Sequence, residues 1–256
     1  MILNSRIFGK SEKKLIILHG FLGSLDNWIT IAKKFSDQLL EVHVIDQRNH
    51  GKSFHSDEFS YELMALDIKN YINYHNLNKV SIIGHSMGGK TACCFALNNQ
   101  HLIEKLIVVD ILPILYNNDY DLIFEALNSI ELNSINKRSD FEDHLKKFFE
   151  NELFISFLSK NLIRTKNSTF TFKFNLKSLM INIDQVLKKI DSTNSFESEI
   201  FFIKGGNSDY ITDEGLENST TLFKNYSLTS IKDSGHWLHY DKPKEFFKVC
   251  LEILSI

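Results

Sequence analysis

VSIIGHSMGGKTACCFAL, residues 80–97, supports two incompatible readings. Gly84-x-x-x-x-Gly89-Lys90-Thr91 matches a phosphate-binding P-loop. Gly84-x-Ser86-x-Gly88 matches a nucleophile elbow, a sharp turn that presents a reactive serine. Both need a strand before and a helix after, and the stretch offers both. LIVVD (Leu106–Asp110) adds weight to the P-loop, because an Asp after an apolar strand can hold magnesium.

The elbow makes stricter demands, and the rest of the chain meets them. The residues two before and two after the serine must be small, since the turn brings them together; Gly84 and Gly88 are. Acyl transfer needs two backbone donors for a developing oxyanion. Met87 follows the serine, and LHGFLGS (Leu18–Ser24) offers the Phe21 amide after an earlier strand. A general base belongs late in the chain, where DSGHWLHY (Asp233–Tyr240) supplies His236. An orienting acid must lie between them, and Asp110 and Asp209 both qualify. A P-loop protein has no reason to contain HGFLG or SGHW. Under the elbow reading, Lys90 and Thr91 are ordinary helix residues.

Outward from the elbow, apolar runs alternate with amphipathic ones. KLIILHG (Lys14–Gly20), EVHVID (Glu41–Asp46), VSIIG (Val80–Gly84), KLIVVD (Lys105–Asp110) and EIFFIKGG (Glu199–Gly206) read as buried parallel strands, with YSLTSI (Tyr226–Ile231) a weaker sixth. Tyr61, Met64, Ala65, Ile68 and Ile72 form a helical stripe, and Pro243 opens a final helix to about Ile253. The expected fold is α/β, a mostly parallel sheet with helices on both faces. The rhythm breaks at 116–196, which reads as helical and includes a capping box at Ser139-x-x-Glu142. This segment is expected to be a helical cap, or lid, on a core formed by 1–115 and 197–256.

The 256 residues are 43% hydrophobic with a net charge of -3, enough for one large core and without the basic excess of a nucleic-acid binder. Three cysteines suit reduced, buried thiols rather than a disulfide framework. The N-terminus lacks a signal-peptide pattern and no apolar run is long enough to span a bilayer, so a cytoplasmic protein is expected. His236 and His239 form H-x-x-H without a third ligand, so no metal is expected, and the serine mechanism implies no cofactor.

HGFLGSLDNW (His19–Trp28), DQRNHGKS (Asp46–Ser53), GHSMGG (Gly84–Gly89), VVDILP (Val108–Pro113), GGNSDY (Gly205–Tyr210) and SGHW (Ser234–Trp237) occur in the order seen in the α/β-hydrolase superfamily. The combination most resembles small bacterial YbfF-type acyl esterases. That resemblance implies a serine esterase or thioesterase acting through a Ser86 acyl-enzyme, on a small acyl ester or acyl-CoA, as a monomer or homodimer. It favours Asp110 as the acid, since Ser208 falls in the usual acid slot after Gly205 and Asp209 sits one residue late. Phe21 and Met87 form the oxyanion hole. Trp237, beside the base, and Leu22 line the acyl pocket. Asp46, Arg48 and His50 brace the oxyanion loop, and His85 orients the loops around it. The alternatives are a C–C bond or methyl-ester hydrolase on the same scaffold, or a non-enzymatic receptor for a small ligand.

Overall fold

The computed structural model describes residues 1–117, 119–167 and 169–256. Its strands are β1 (Ser5–Phe8), β2 (Lys14–Leu18), β3 (Glu41–Ile45), β4 (Val80–His85), β5 (Ile103–Val109), β6 (Leu162–Arg164), β7 (Phe170–Phe172), β8 (Ile200–Gly205) and β9 (Tyr226–Ile231). Seven form one sheet in the order β1-β3-β2-β4-β5-β8-β9, while β6 and β7 pair only with each other. Every neighbouring pair in the large sheet is parallel except β1 with β3. β1 is absent from the sequence reading. It is four residues long and half exposed, so no apolar run marks it.

The apolar strands are buried because both faces are covered. Ile16, Leu18, Ile82, Leu106 and Val108 face one cluster; Leu15, Ile17, Ile83, Ile107 and Val109 face the other. This period of two within continuous apolar runs is the mark of a doubly covered sheet. Each fully buried Leu, Ile or Val contributes about 1.5–3 kcal/mol. The helices α1 (Ile29–Ser36), α2 (Tyr61–Tyr74) and α3 (Met87–Asn98) follow β2, β3 and β4. α2 buries its predicted stripe, and the Ser60 hydroxyl caps it by accepting from the Leu63 amide.

Between β5 and β8 run α4 (Asp121–Asn128), α5 (Arg138–Leu145), α6 (Glu152–Ser159), α7 (Leu176–Ile181) and α8 (Ile183–Leu187). The expected capping box at Ser139 and Glu142 does not form. The helix N-cap is Lys137, two residues earlier, and Asp140 instead accepts from the Asn136 and Lys137 amides. Glu142 is engaged by the Ser159 hydroxyl of α6. The chain closes with α9 (Asp213–Ser219), α10 (Leu238–Asp241) and α11 (Pro243–Leu254). All three cysteines are free and buried, and burial pushes their thiols up, away from thiolate chemistry. Among the described residues no helix is long and apolar enough to cross a membrane.

Candidate active site

β4 ends at His85, and α3 begins at Met87. Ser86 makes the turn between them with φ 51° and ψ -121°, a region that non-glycine residues rarely occupy. The flanking glycines are sterically required. A Cβ on Gly84 would lie 2.4 Å from the Gly88 carbonyl oxygen, and one on Gly88 would lie 2.6 Å from the carbonyls of both Leu18 and His19. The turn is pinned by the Ser86 amide, which donates to Val109 O, and by Ser86 O, which accepts from Gly89 and Lys90. Ser86 is half-buried, unlike its neighbours in the turn. Met87 is the first residue of α3, where an amide has no partner within its own helix.

The loop after β2 lies beside this turn. The Leu22 amide donates to His50 Nε2, and the Leu25 amide to Asp46 Oδ1. Gln47 holds His19 from both sides: its amide donates to His19 Nε2 and its side chain donates to His19 O. Arg48 pairs with Asp67 at 2.6 Å and leaves this network on its outer side. Asp46, His50 and Gln47 thus fix the loop on which Phe21 sits; among the described residues the Phe21 amide has no backbone partner. Burial draws His19 down to about 4 and His50 to about 3, so both are neutral.

His236 follows β9 on the loop that Ser234 and Gly235 form. Its Nδ1 lies 2.8 Å from Asp110 Oδ2, so Nδ1 carries the proton and Nε2 is left as the basic nitrogen. Asp110 is fully buried at the end of β5 with φ 52°. Its other oxygen accepts from the Gly205 amide at 2.9 Å, and the Ser208 hydroxyl donates to Oδ2. Ser208 therefore occupies the usual acid slot and holds the acid that comes from the neighbouring strand. Asp209 is exposed. The side chain expected to line up with His236 from either strand does so from β5, because Ser208 and not Asp209 turns inward.

Around this pair the structure places His85, read from the sequence as a loop-orienting residue, together with Tyr210, His239 and Asn161, which had no assigned role. The Tyr210 ring stacks on His236 at 4.0 Å and 19°. His85 Nε2 donates to His236 O at 2.8 Å, and burial drives His85 well below its ordinary range. His239 stacks on Trp28 at 4.1 Å and 7°. Asn161 of the 116–196 segment donates to Leu22 O. No spacing rule joins such distant residues. Ser208 carried a signal through its offset from Gly205, and His85 through its place beside Ser86.

Ser86, His85, His236, Phe21, Leu22 and Trp237 all open onto one cavity of about 660 Å³. Leu153, Phe154, Phe157, Tyr120 and Ile123 of the 116–196 segment form much of its apolar wall. Trp237 packs against Phe154 and Phe157 at 5.6 and 5.7 Å. Among the described residues no cluster of His, Cys, Asp or Glu has the form of a metal site. The Lys90 ammonium, which a P-loop would aim at phosphate, is turned away onto backbone carbonyls.

Residues 13–243 match the α/β-hydrolase fold family. A solved structure described as a marine microorganism esterase superposes with a TM-score of 0.95 at 39% identity, covering 98% of this chain and 99% of that one. The sn-1-specific diacylglycerol lipase ABHD11 of Danio rerio is 32% identical over 255 residues, 96% of this chain and 80% of that protein. Esterase YbfF of Escherichia coli is 28% identical over 248 residues, 96% of this chain and 94% of that protein. The kinship expected from six short motifs extends along nearly the whole chain. The chain belongs to the α/β-hydrolase fold family, alongside esterases and lipases.

Proposed function

We propose that this protein is a serine hydrolase that cleaves carboxylic esters, and thioesters of similar shape, through a Ser86 acyl-enzyme. One observation carries the reading: a strained serine and a carboxylate-oriented histidine open onto the same apolar cavity. His236 Nε2 takes the Ser86 proton as Oγ attacks the acyl carbon, then returns it to the departing alcohol or thiol. Water repeats the two transfers and frees the acid. Asp110 keeps the proton on Nδ1 and stabilises the imidazolium. The Phe21 and Met87 amides receive the developing oxyanion, each worth about 2.7–4 kcal/mol in comparable holes. The reading calls on no cofactor.

The 116–196 segment acts as the lid and residues 1–115 and 197–256 as the core. Phe154, Phe157, Trp237 and Leu22 favour an apolar acyl chain. The similarity to a diacylglycerol lipase supports a lipid-like ester over a small polar one. Fluorophosphonate labelling tests the reading. The native protein should label at Ser86 and give a burst on p-nitrophenyl acetate, while Ser86→Ala should do neither. Equal labelling of both proteins would sink it.

A further inference from the structure

Lys90 is the residue of the opening motif that the proposed chemistry leaves unused. It lies one helical turn beyond Ser86 on α3 and is 1% exposed. An ammonium so buried usually has a carboxylate partner. The three N–H groups of Lys90 instead face four backbone carbonyls: Ile114 at 3.1 Å, Val186 at 3.3 Å, Leu187 at 3.1 Å, and Lys188. Its charge also sits over the ring faces of Tyr61 and Tyr116, 5.0 and 5.4 Å from their centroids.

These acceptors have a pattern. Ile114 lies where the chain leaves β5 for the lid, and Val186, Leu187 and Lys188 lie where α8 brings it back. Carbonyls at a helix C-terminus have no partner within the helix and favour a cation. The two roots also bind each other, through the Tyr116 amide to Leu187 O and the Ile190 amide to Pro113 O. Tyr61 of α2 adds its hydroxyl at Val186 O. Lys90 is thus the side chain that ties both roots to the helix carrying the nucleophile. A cavity of about 20 Å³ touches Lys90 on one side and Ser86, Met87 and Phe21 on the other. It is roughly the size of one water, so little slack separates root and elbow.

Methionine would fill the same space without stranding a charge. Desolvation by burial draws the ammonium down to about 7, partly opposed by Cys93. A group kept at such a cost points to a job that an apolar side chain could not do.

We propose that Lys90 is a positioning residue whose ammonium latches both roots of the 116–196 lid to α3, setting the lid's height over Ser86 and so the bulk of acyl group admitted. The lid carries Tyr120, Ile123, Phe154 and Phe157 into the large cavity, so a shift at its roots moves that wall. The selectivity part rests on the Ser86 reading; the latch itself does not.

Lys90→Met is tested by hydrogen exchange and by kinetics. Exchange at residues 111–116 and 183–190 should quicken about tenfold or more, with α2 and β4 unchanged. KM for a long-chain p-nitrophenyl ester should rise about tenfold, while kcat/KM for p-nitrophenyl acetate stays within about threefold. Lys90→Arg, which keeps the charge, should restore part of the protection at both roots. Unchanged exchange in a folded Lys90→Met would overturn the latch. An equal fall on short and long esters would overturn its role in selectivity. Should Lys90→Met be too unstable to purify, Lys90→Gln, which keeps a shorter neutral donor, takes its place: faster exchange at 111–116 and 183–190 supports the latch, and unchanged exchange there overturns it. If the native protein fails to label with fluorophosphonate, the hydrolase reading falls while the exchange result still judges the latch.

Discussion

At the carboxyl ends of β2, β3, β4, β5 and β9 the chain turns through Leu22, Asn49, Ser86, Asp110 and Asp233, each with φ between 51° and 63°. Among its described residues, the 116–196 segment has no non-glycine residue of this kind. One region holds its groups by backbone conformations that cost about 1–3 kcal/mol apiece and persist only because the surroundings enforce them. The other holds its groups by aromatic packing and by contacts at its roots. The strained rim carries Ser86, Asp110 and the loop of Leu22, and sets Asp110 2.8 Å from His236. The packed segment meets the rim at few polar points, among them Asn161 on Leu22 O. Under the proposed function, this division puts the chemistry in the rim and selectivity in the segment beside it.

The sharpest way to break the division is at Asp110. Asp110→Asn should lower kcat on p-nitrophenyl acetate about 10³–10⁴-fold, because an amide no longer holds the Nδ1 tautomer of His236. It should also lower the melting temperature, since the Ser208 hydroxyl and Gly205 amide both donate to this carboxylate. Asp209→Asn should leave both quantities near native. Steady-state kinetics on the two variants decide the matter. A large loss from Asp209→Asn would mean that the rim geometry is not what orients the base.

The same contrast explains what could be read from the sequence. Strain at the rim leaves a local signature: small residues two before and two after Ser86, glycine before His236, glycine after Leu18. Continuous apolar runs marked β2, β3, β4, β5 and β8 for a similar reason, because a doubly covered strand has no solvent face to interrupt it. β1 is short and half exposed and left no such run. The 116–196 segment was legible only as a break in rhythm. Its contacts with the site join residues far apart in the chain: Asn161 with Leu22, Phe154 and Phe157 with Trp237, Lys90 with Val186. Nothing local specifies such pairs. Tyr210 illustrates the boundary. It stands beside the acid slot in GGNSDY, yet its stacking on His236 depends on how two loops meet.

Acid should loosen the rim before the lid. His19 and His50 each accept a hydrogen bond at Nε2, from the Gln47 and Leu22 amides, and donate from Nδ1, to the Gly20 and Arg48 carbonyls. Protonation would abolish the accepting nitrogen and bury a charge. Burial draws His19 to about 4, and His50 and His239 to about 3. Their folded values lie below the unfolded value near 6.5, so the unfolded chain binds more protons below that pH. The stabilisation from neutral burial is complete above about pH 6.5 and is lost as pH falls toward 4 and 3. Each histidine can contribute up to about 1.4 kcal/mol per pH unit in that window. Urea midpoints should therefore drop between pH 7.5 and 5.5. Hydrogen exchange at residues 19–25 and 46–53 should quicken more than at 138–160. A midpoint that does not move over this range would mean the rim is not held by these neutral rings.

The smallest expected effect is the most direct test of where selectivity resides. Phe154 and Phe157 pack against Trp237, which adjoins His236 in sequence and touches it edge-on at 5.7 Å. Truncating either phenylalanine removes apolar wall that a long acyl chain would cover and a two-carbon chain would not reach. KM for p-nitrophenyl octanoate should rise about three- to tenfold in Phe157→Ala, equivalent to about 0.7–1.4 kcal/mol. Phe154→Ala should behave alike, and KM and kcat for p-nitrophenyl acetate should stay within about twofold. The outcome to watch is an acetate kcat that falls with the octanoate. That would mean the aromatic wall steadies the His236 loop through Trp237, and that the lid shares in the chemistry the rim was assigned.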